Sequence, residues 1–268
     1  MARDIIDHRL LGALHLQAMD RAAFDHDPDA EHVAFQVGTL DALMDGHFDG
    51  DATIGEVLAH GDHGLGTVEH LAGELVVVDG EAFVVDGDGV VTAVPAETTT
   101  PFAVVCRFSP VARTEVTAPL DHVGFIGLVE GLAAGSSSIL AYRAEGEFAD
   151  LLLRSVHAQV PPYPPLADVT AHQTEWTVPS ATGTVIGFRF PDVIAGVEVP
   201  GHHAHFLSTD RKVGGHVLGL TMGQGHLAVD AGDDLHVELP EHIGLGVPGA
   251  ADRAAIRGVE GPAGASAD

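Results

Sequence analysis

The chain has 268 residues, of which 46% are hydrophobic, 39 are Asp or Glu and 12 are Lys or Arg, for a formal charge of −27. This length can bury a substantial core in one large domain or two lobes sharing an interface, and the composition is that of a folded protein rather than a disordered one. The charge argues against nucleic acid and anionic membrane surfaces as partners, because both are bound by clustered basic side chains, and Lys212 is the only lysine here.

Residues 1–34 carry weak helical periodicity and close in DHDPDAEH, which reads as an acidic, mobile arm. The N-terminal segment has no continuous apolar run of the kind found in signal peptides or membrane spans, so a cytoplasmic location is expected. From Phe35 the pattern tightens: Leu40, Leu43 and Met44 lie at helical spacing, as do Ile54, Val57 and Leu58, with glycine-rich turns between them. ELVVVDG, AFVVDGDG and VVTAV then read as strands of a meander, and AVVCRF continues the sheet. Cys106 in that run is the only cysteine, which excludes an intramolecular disulfide and reads as a buried structural thiol.

TAPLDHVGFIGLVEGLAAG predicts a helix with Thr117 as its N-cap and Gly135 as its stop. SILAYRA and FADLLLRSV follow as two strands, and the proline-rich VPPYPPLADVT predicts a connector. TVIGFRF, HAHFLST, HVLGLT, HLAVD and DLHVEL complete a second set of strands; in the tail, Ala254 and Ile256 suggest a helical turn or two before a disordered end. The expected fold class is α+β: two mostly β lobes of mixed or antiparallel sheets with a few packing helices. The lobes are expected over 35–160 and 161–268, the second carrying the metal-binding histidines.

An acid excess with one lysine and many Ala, Val and Thr is also the composition expected of a salt-adapted protein, whose carboxylates keep the surface hydrated. On this reading the unfolding midpoint rises between low and molar salt, and a flat midpoint removes the idea.

The strongest chemical signal is PGHHAHF followed by DRKVGGH. His203 and His205 stand two apart on a predicted strand and so project from one face. A turn over residues 210–215 can return the chain as an adjacent antiparallel strand, placing His216 opposite the pair. Three neutral imidazoles suit zinc and leave a fourth position open. A metal of this kind also lets a chain of such charge bind a small anion. His202 points to the other face and reads as a packing or hydrogen-bonding residue. His-x-His on a strand also occurs in cupin-like metal modules, but these usually supply a glutamate four residues after the second histidine, and that place is Thr209 here.

Several blocks, in order from about Phe35 to Glu260, resemble the α-acetolactate decarboxylases: DGDATIGEVLAHGDHGLGTVEHLAGELVVVDG, TPFAVVCRF, RSV followed by PYPPL, GTVIGFRFPD, and VPGHHAHFLSTDRKVGGHVL. The resemblance implies a zinc-dependent conversion of 2-acetolactate to acetoin and CO2 by a homodimer, with His203, His205 and His216 as the Zn2+ ligands. It also implies active-site roles for Thr67, Glu74 and Arg154, and for Glu260 in IRGVEG. Read from position alone, Glu74 is a solvated strand residue, Arg154 an ion-pair partner and Thr67 a turn or cap residue. The sequence departs from the family pattern at His63, where relatives usually carry an aromatic, and at His202, where phenylalanine is expected. Guanidinium is a poor acid, so the immediate proton donor would be a metal-bound water, Glu74 or Glu260.

Overall fold

A computed structural model of the chain describes residues 15–19, 31–133 and 139–239. Its elements, in chain order, are β1 (His15–Met19), β2 (Val33–Val37), α1 (Leu40–Met44), β3 (Ala52–Thr53), α2 (Ile54–Leu58), β4 (His63–Thr67), β5 (Glu74–Val78), β6 (Glu81–Val85), β7 (Val91–Ala93), β8 (Thr99–Thr100), β9 (Ala103–Cys106), β10 (Ala112–Val116), α3 (His122–Leu132), β11 (Ile139–Ser155), α4 (Leu166–Thr170), β12 (Thr174–Phe190), β13 (Gly201–Ser208), β14 (Gly214–Gly232) and β15 (Asp234–Glu238). No helix among these residues is long and apolar enough to cross a membrane.

The fold is the expected α+β class, built on two large sheets. One has the order β1-β15-β2-β9-β4-β5-β6-β7 and is mixed, because β15 runs parallel to both β1 and β2 while its other pairings are antiparallel. The other has the antiparallel order β10-β14-β11-β12-β13, and β14 also pairs with β13, so four of its strands close into a ring. Each sheet takes strands from both sides of residue 160, where the sequence suggests a change of lobe.

Alternation along the strands sorts the residues into layers. Val76 and Val78 pack with Ile186 and Leu207 between the sheets, as do Leu65 and Val104 with Ala141 and Phe188. The intervening Leu75 and Val77 face α2, where Ile54 and Val57 cover them. Phe125 and Val129 of α3 cover the far face of the second sheet, against Tyr142, Phe206 and Met222. Each large apolar side chain buried in this way contributes about 1.5–3 kcal/mol relative to exposure. The two short helices of the first half are capped as their sequences require: the Thr39 side chain accepts from Ala42 N, and Thr53 and Glu56 form a capping box.

Four details depart from the sequence reading. Residues 15–19, weakly helical by pattern, form a strand against β15, a partner too distant in sequence for local periodicity to reveal. The third helix starts late, with Asp121 as its N-cap through a 2.8 Å bond from Gly124 N, because Pro119 breaks the segment and Leu120 pairs with Met222 instead. SILAYRA and FADLLLRSV are one strand, and so are HVLGLT and HLAVD. The strands β2, which takes in Val33 and Ala34 of the expected arm, β4 and β10 carry no run of β-branched residues and have no counterpart among the expected strands. The tail, including Ala254, Ile256 and Glu260, lies outside the described residues, as do 1–14 and 20–30 of the expected arm.

Cys106 is buried as expected, and burial pushes its thiol well above its ordinary range. His63 is also buried between the sheets, stacked on Phe108 at 4.5 Å and edge-on to Phe188 at 5.5 Å. Neither of its ring nitrogens makes a well-aligned hydrogen bond among the described residues. Burial, and then the charge of Arg143, lower its pKa to about 3, with the nearby Gly187 backbone opposing only in part. The unfolded chain therefore takes up a proton near pH 6.5 that the folded chain refuses until about pH 3. This contribution to stability is whole above pH 6.5 and is lost as pH falls, by at most about 1.4 kcal/mol per unit. His63→Phe, which keeps the ring stack, is expected to flatten the acid limb of stability against pH in denaturant titrations; an unchanged slope rejects the assignment.

Candidate metal centre and its cleft

The hairpin between β13 and β14 brings the three histidines together. Ser208 closes its turn, donating from its hydroxyl to Asp210 at 2.8 Å and accepting from Val213 N at 3.0 Å. The register sets His205 opposite His216, and β11 on the other side sets Arg154 opposite His216. Gly215 permits this crowding: its φ is +136°, and a Cβ there would lie 2.8 Å from the Arg154 carbonyl oxygen.

His203, His205 and His216 are all buried, and one ligand atom of each lies within 4.8 Å of the others. The Nε2 atoms of His203 and His205 are 3.2 Å apart. Two bonds of about 2.0–2.1 Å to one tetrahedral ion place their nitrogens about 3.4 Å apart, so the pair matches a shared ligand position. His205 Nδ1 lies 2.7 Å from the Leu75 carbonyl oxygen, which can only accept, so this nitrogen carries the proton and Nε2 presents a lone pair. That lone pair faces Glu74 Oε2 at 3.2 Å. Two acceptors in contact need a positive charge between or beside them, and an ion among the rings supplies one for all three imidazoles at once. Burial above all, with the Arg154 charge adding to it, pushes His203 well below its ordinary range and leaves it neutral, as a metal ligand must be.

Glu74 and Thr67 sit opposite each other at the turn end of the β4–β5 hairpin, on the face that looks toward the second sheet. Arg154 Nη1 donates to Glu74 Oε1 at 3.0 Å, and both side chains are buried. Burial raises the Glu74 carboxyl, but the neighbouring Arg154 charge opposes it, and the group lies below its ordinary value, as a carboxylate. Arg154 Nη2 also lies 3.3 Å from His216 Nδ1. The Thr67 hydroxyl donates to the Gly73 carbonyl at 2.8 Å and so locks the turn that presents Glu74.

Four of these groups line one cleft. Thr67, Glu74, Arg154 and His203 line its polar side, and Leu40, Leu43, Leu71, Phe102, Leu166 and Val199 line its apolar side. The apolar wall escaped the sequence reading: helical spacing marked Leu40 and Leu43 as one face but not what that face covers. The Leu75 carbonyl that orients His205 carries no sequence signal. A second donor group, Asp49, Glu69 and His70, also escaped notice; it is largely exposed and engaged with the Tyr163 hydroxyl, which donates to Asp49 at 2.5 Å. His202 projects away from the centre, as strand parity predicts, with Nε2 3.0 Å from Glu130 Oε1. Glu260 lies outside the described residues.

The model of the alpha-acetolactate decarboxylase family matches residues 34–244. A curated relative of that name from Methylococcus capsulatus is 39% identical over 211 residues, 79% of this chain and 81% of the relative. One from Brevibacillus brevis is 35% identical over 214 residues, 80% of this chain and 75% of the relative. Among solved structures, the alpha-acetolactate decarboxylase of Bacillus subtilis superposes with a TM-score of 0.81 at 28% identity, covering 86% of this chain and 100% of that one.

Proposed function

The chain belongs to the alpha-acetolactate decarboxylase family and is a carboxy-lyase, and from that premise we propose that it forms acetoin and CO2 from 2-acetolactate with zinc held by His203, His205 and His216. The observation that carries the zinc assignment is the convergence of three buried imidazoles beside a carboxylate, a nitrogen donor set of the kind zinc favours. When bound, such an ion supplies Lewis acidity toward the substrate's ketone and hydroxyl oxygens, where the electron pair left by departing CO2 must be stabilised.

The chain's own residues orient the substrate and handle its protons. Arg154 lines the cleft beside Glu74 and His216 and can only donate. While Nη1 holds Glu74, the guanidinium would also donate to a substrate carboxylate and hold it in line for cleavage of the bond to the ketol carbon. Glu74, kept ionised by Arg154, accepts from the substrate hydroxyl. The carbon that loses CO2 takes up one proton; we assign its delivery to the carboxyl of Glu74 or Glu260, recharged from solvent, since guanidinium does not release protons in proteins. Thr67 positions Glu74 through the Gly73 turn. The apolar wall keeps water from the site and strengthens each of these polar contacts. We further propose a cytoplasmic homodimer.

The test is acetoin formation from racemic acetolactate, followed by a colour assay before and after a chelator, with metal analysis of both samples. Activity is expected to vanish with the metal and to return with added zinc. Full activity in metal-free protein rejects the zinc assignment.

A further inference from the structure

A second chamber, of about 150 Å³, lies beneath α3 against the five-stranded sheet, lined among others by His122, Phe125, Ile126, Tyr142, His202 and Leu220, and bordered also by His216 of the metal centre. Tyr142 is wholly buried, and its hydroxyl has no hydrogen-bond partner among the described residues. The tyrosine sits across from Gly187, where a Cβ would lie 2.5 Å from the hydroxyl oxygen, so the glycine makes room for the phenol. Burial, and then the charge of Glu130, push the phenol above its ordinary range, so it stays protonated and able to donate.

His202 supplies the complementary group. Its Nε2 lies 3.0 Å from the Glu130 carboxylate, which accepts, so Nε2 carries the proton and Nδ1 presents a lone pair. That Nδ1 is buried and has no partner among the described residues, and neither does Nδ1 of His122. The chamber thus offers a buried donor and a buried acceptor on rings whose centroids are 5.7 Å apart, against apolar walls. Unmatched buried polar groups are costly, and a cavity of this size with several of them is built for a polar occupant. No lining residue is a lysine or arginine, and Arg189 nearby is bonded to Glu130 at 2.9 Å, so the occupant is not an anion.

We infer that this chamber is a second binding site, for a small neutral α-hydroxy ketone whose carbonyl accepts from Tyr142 and whose hydroxyl donates to His202. The decarboxylation product has this chemistry, with one methyl at each end for the apolar walls, whereas the substrate carries a carboxylate that nothing here neutralises. Naming the product as ligand rests on the decarboxylase reading; the donor–acceptor pair does not. Because His216 borders this chamber as well as the metal centre, occupancy reports to that centre through a shared residue.

The test titrates the metal-loaded full chain with acetoin and follows the methyl resonances of Ile126 and Leu220. Saturable shifts are expected, weakened at least about fivefold by Tyr142→Phe, the loss of one hydrogen bond, and abolished by Ile126→Trp, which fills the space. Unshifted methyls, or binding in both variants as tight as in the parent, overturn the inference. Acetoin formation is measured on the same samples. A chain that binds acetoin here without decarboxylating acetolactate refutes the catalytic reading alone, and one that decarboxylates without shifts refutes the chamber alone.

Discussion

His205→Ala is expected to remove the bound metal and acetoin formation together, with turnover falling at least about a thousandfold. The size follows from the several kcal/mol of charge stabilisation a Lewis-acid ion supplies, at about 1.4 kcal/mol for each factor of ten. His205 is the sharpest single probe because it is fully buried, faces both His203 and Glu74, and is oriented by the Leu75 carbonyl. His202→Ala is the control: that ring lies on the other face against Glu130, so metal content should persist. Metal retained at parental level in His205→Ala, or acetoin still formed by a metal-free sample of it, contradicts the proposed centre.

Arg154→Ala is expected to keep the metal and lose turnover by about a hundredfold or more, the effect of removing a charge-assisted clamp from the reacting group. It should also destabilise the fold. Arg154 and Glu74 are buried together, and removing one partner of a buried pair costs about 3–5 kcal/mol because the remaining charge is stranded. Adding Glu74→Gln to Arg154→Ala should therefore recover part of the stability while leaving turnover low. That split separates a catalytic role from a structural one: if the double variant recovers both, the arginine serves the fold and the proposed clamp is wrong. Arg154→Lys, which keeps the charge without the fork, is expected to fall between the parent and alanine.

Much of the site was legible because its signals are local. Two histidines at strand spacing, a turn rich in Asp and Gly, and a third histidine on the return are sufficient to predict the hairpin, and the register of His205 with His216 follows from it. The same holds for His202, whose neighbours in parity place it on the far face. The short helices were likewise readable, since Leu40 with Leu43 and Ile54 with Val57 carry their own periodicity. Glu74, Thr67 and Arg154 differ, because from position alone each has an ordinary structural explanation, and only the resemblance to a family singled them out.

Arg154 shows why. Along β11, Ile139 and Ala141 face the first sheet while Leu140 and Tyr142 face α3. Strict alternation over the rest of the strand would turn Arg154 toward α3, away from Glu74. Between Phe148 and Leu151 the alternation slips, where Asp150 takes a φ of 49° and the pairing with β14 shifts register. A slip of one residue exchanges the faces of a strand, and here it delivers the guanidinium to the carboxylate. The sequence by itself determined the composition of this protein's chemistry: a chain poor in cations, a hairpin bearing three histidines, and apolar runs enough for two sheets. Only the tertiary structure decided which residues meet, because a bulge, a glycine at a crowded crossing and strands paired from opposite ends of the chain are set by long-range packing that no local pattern encodes.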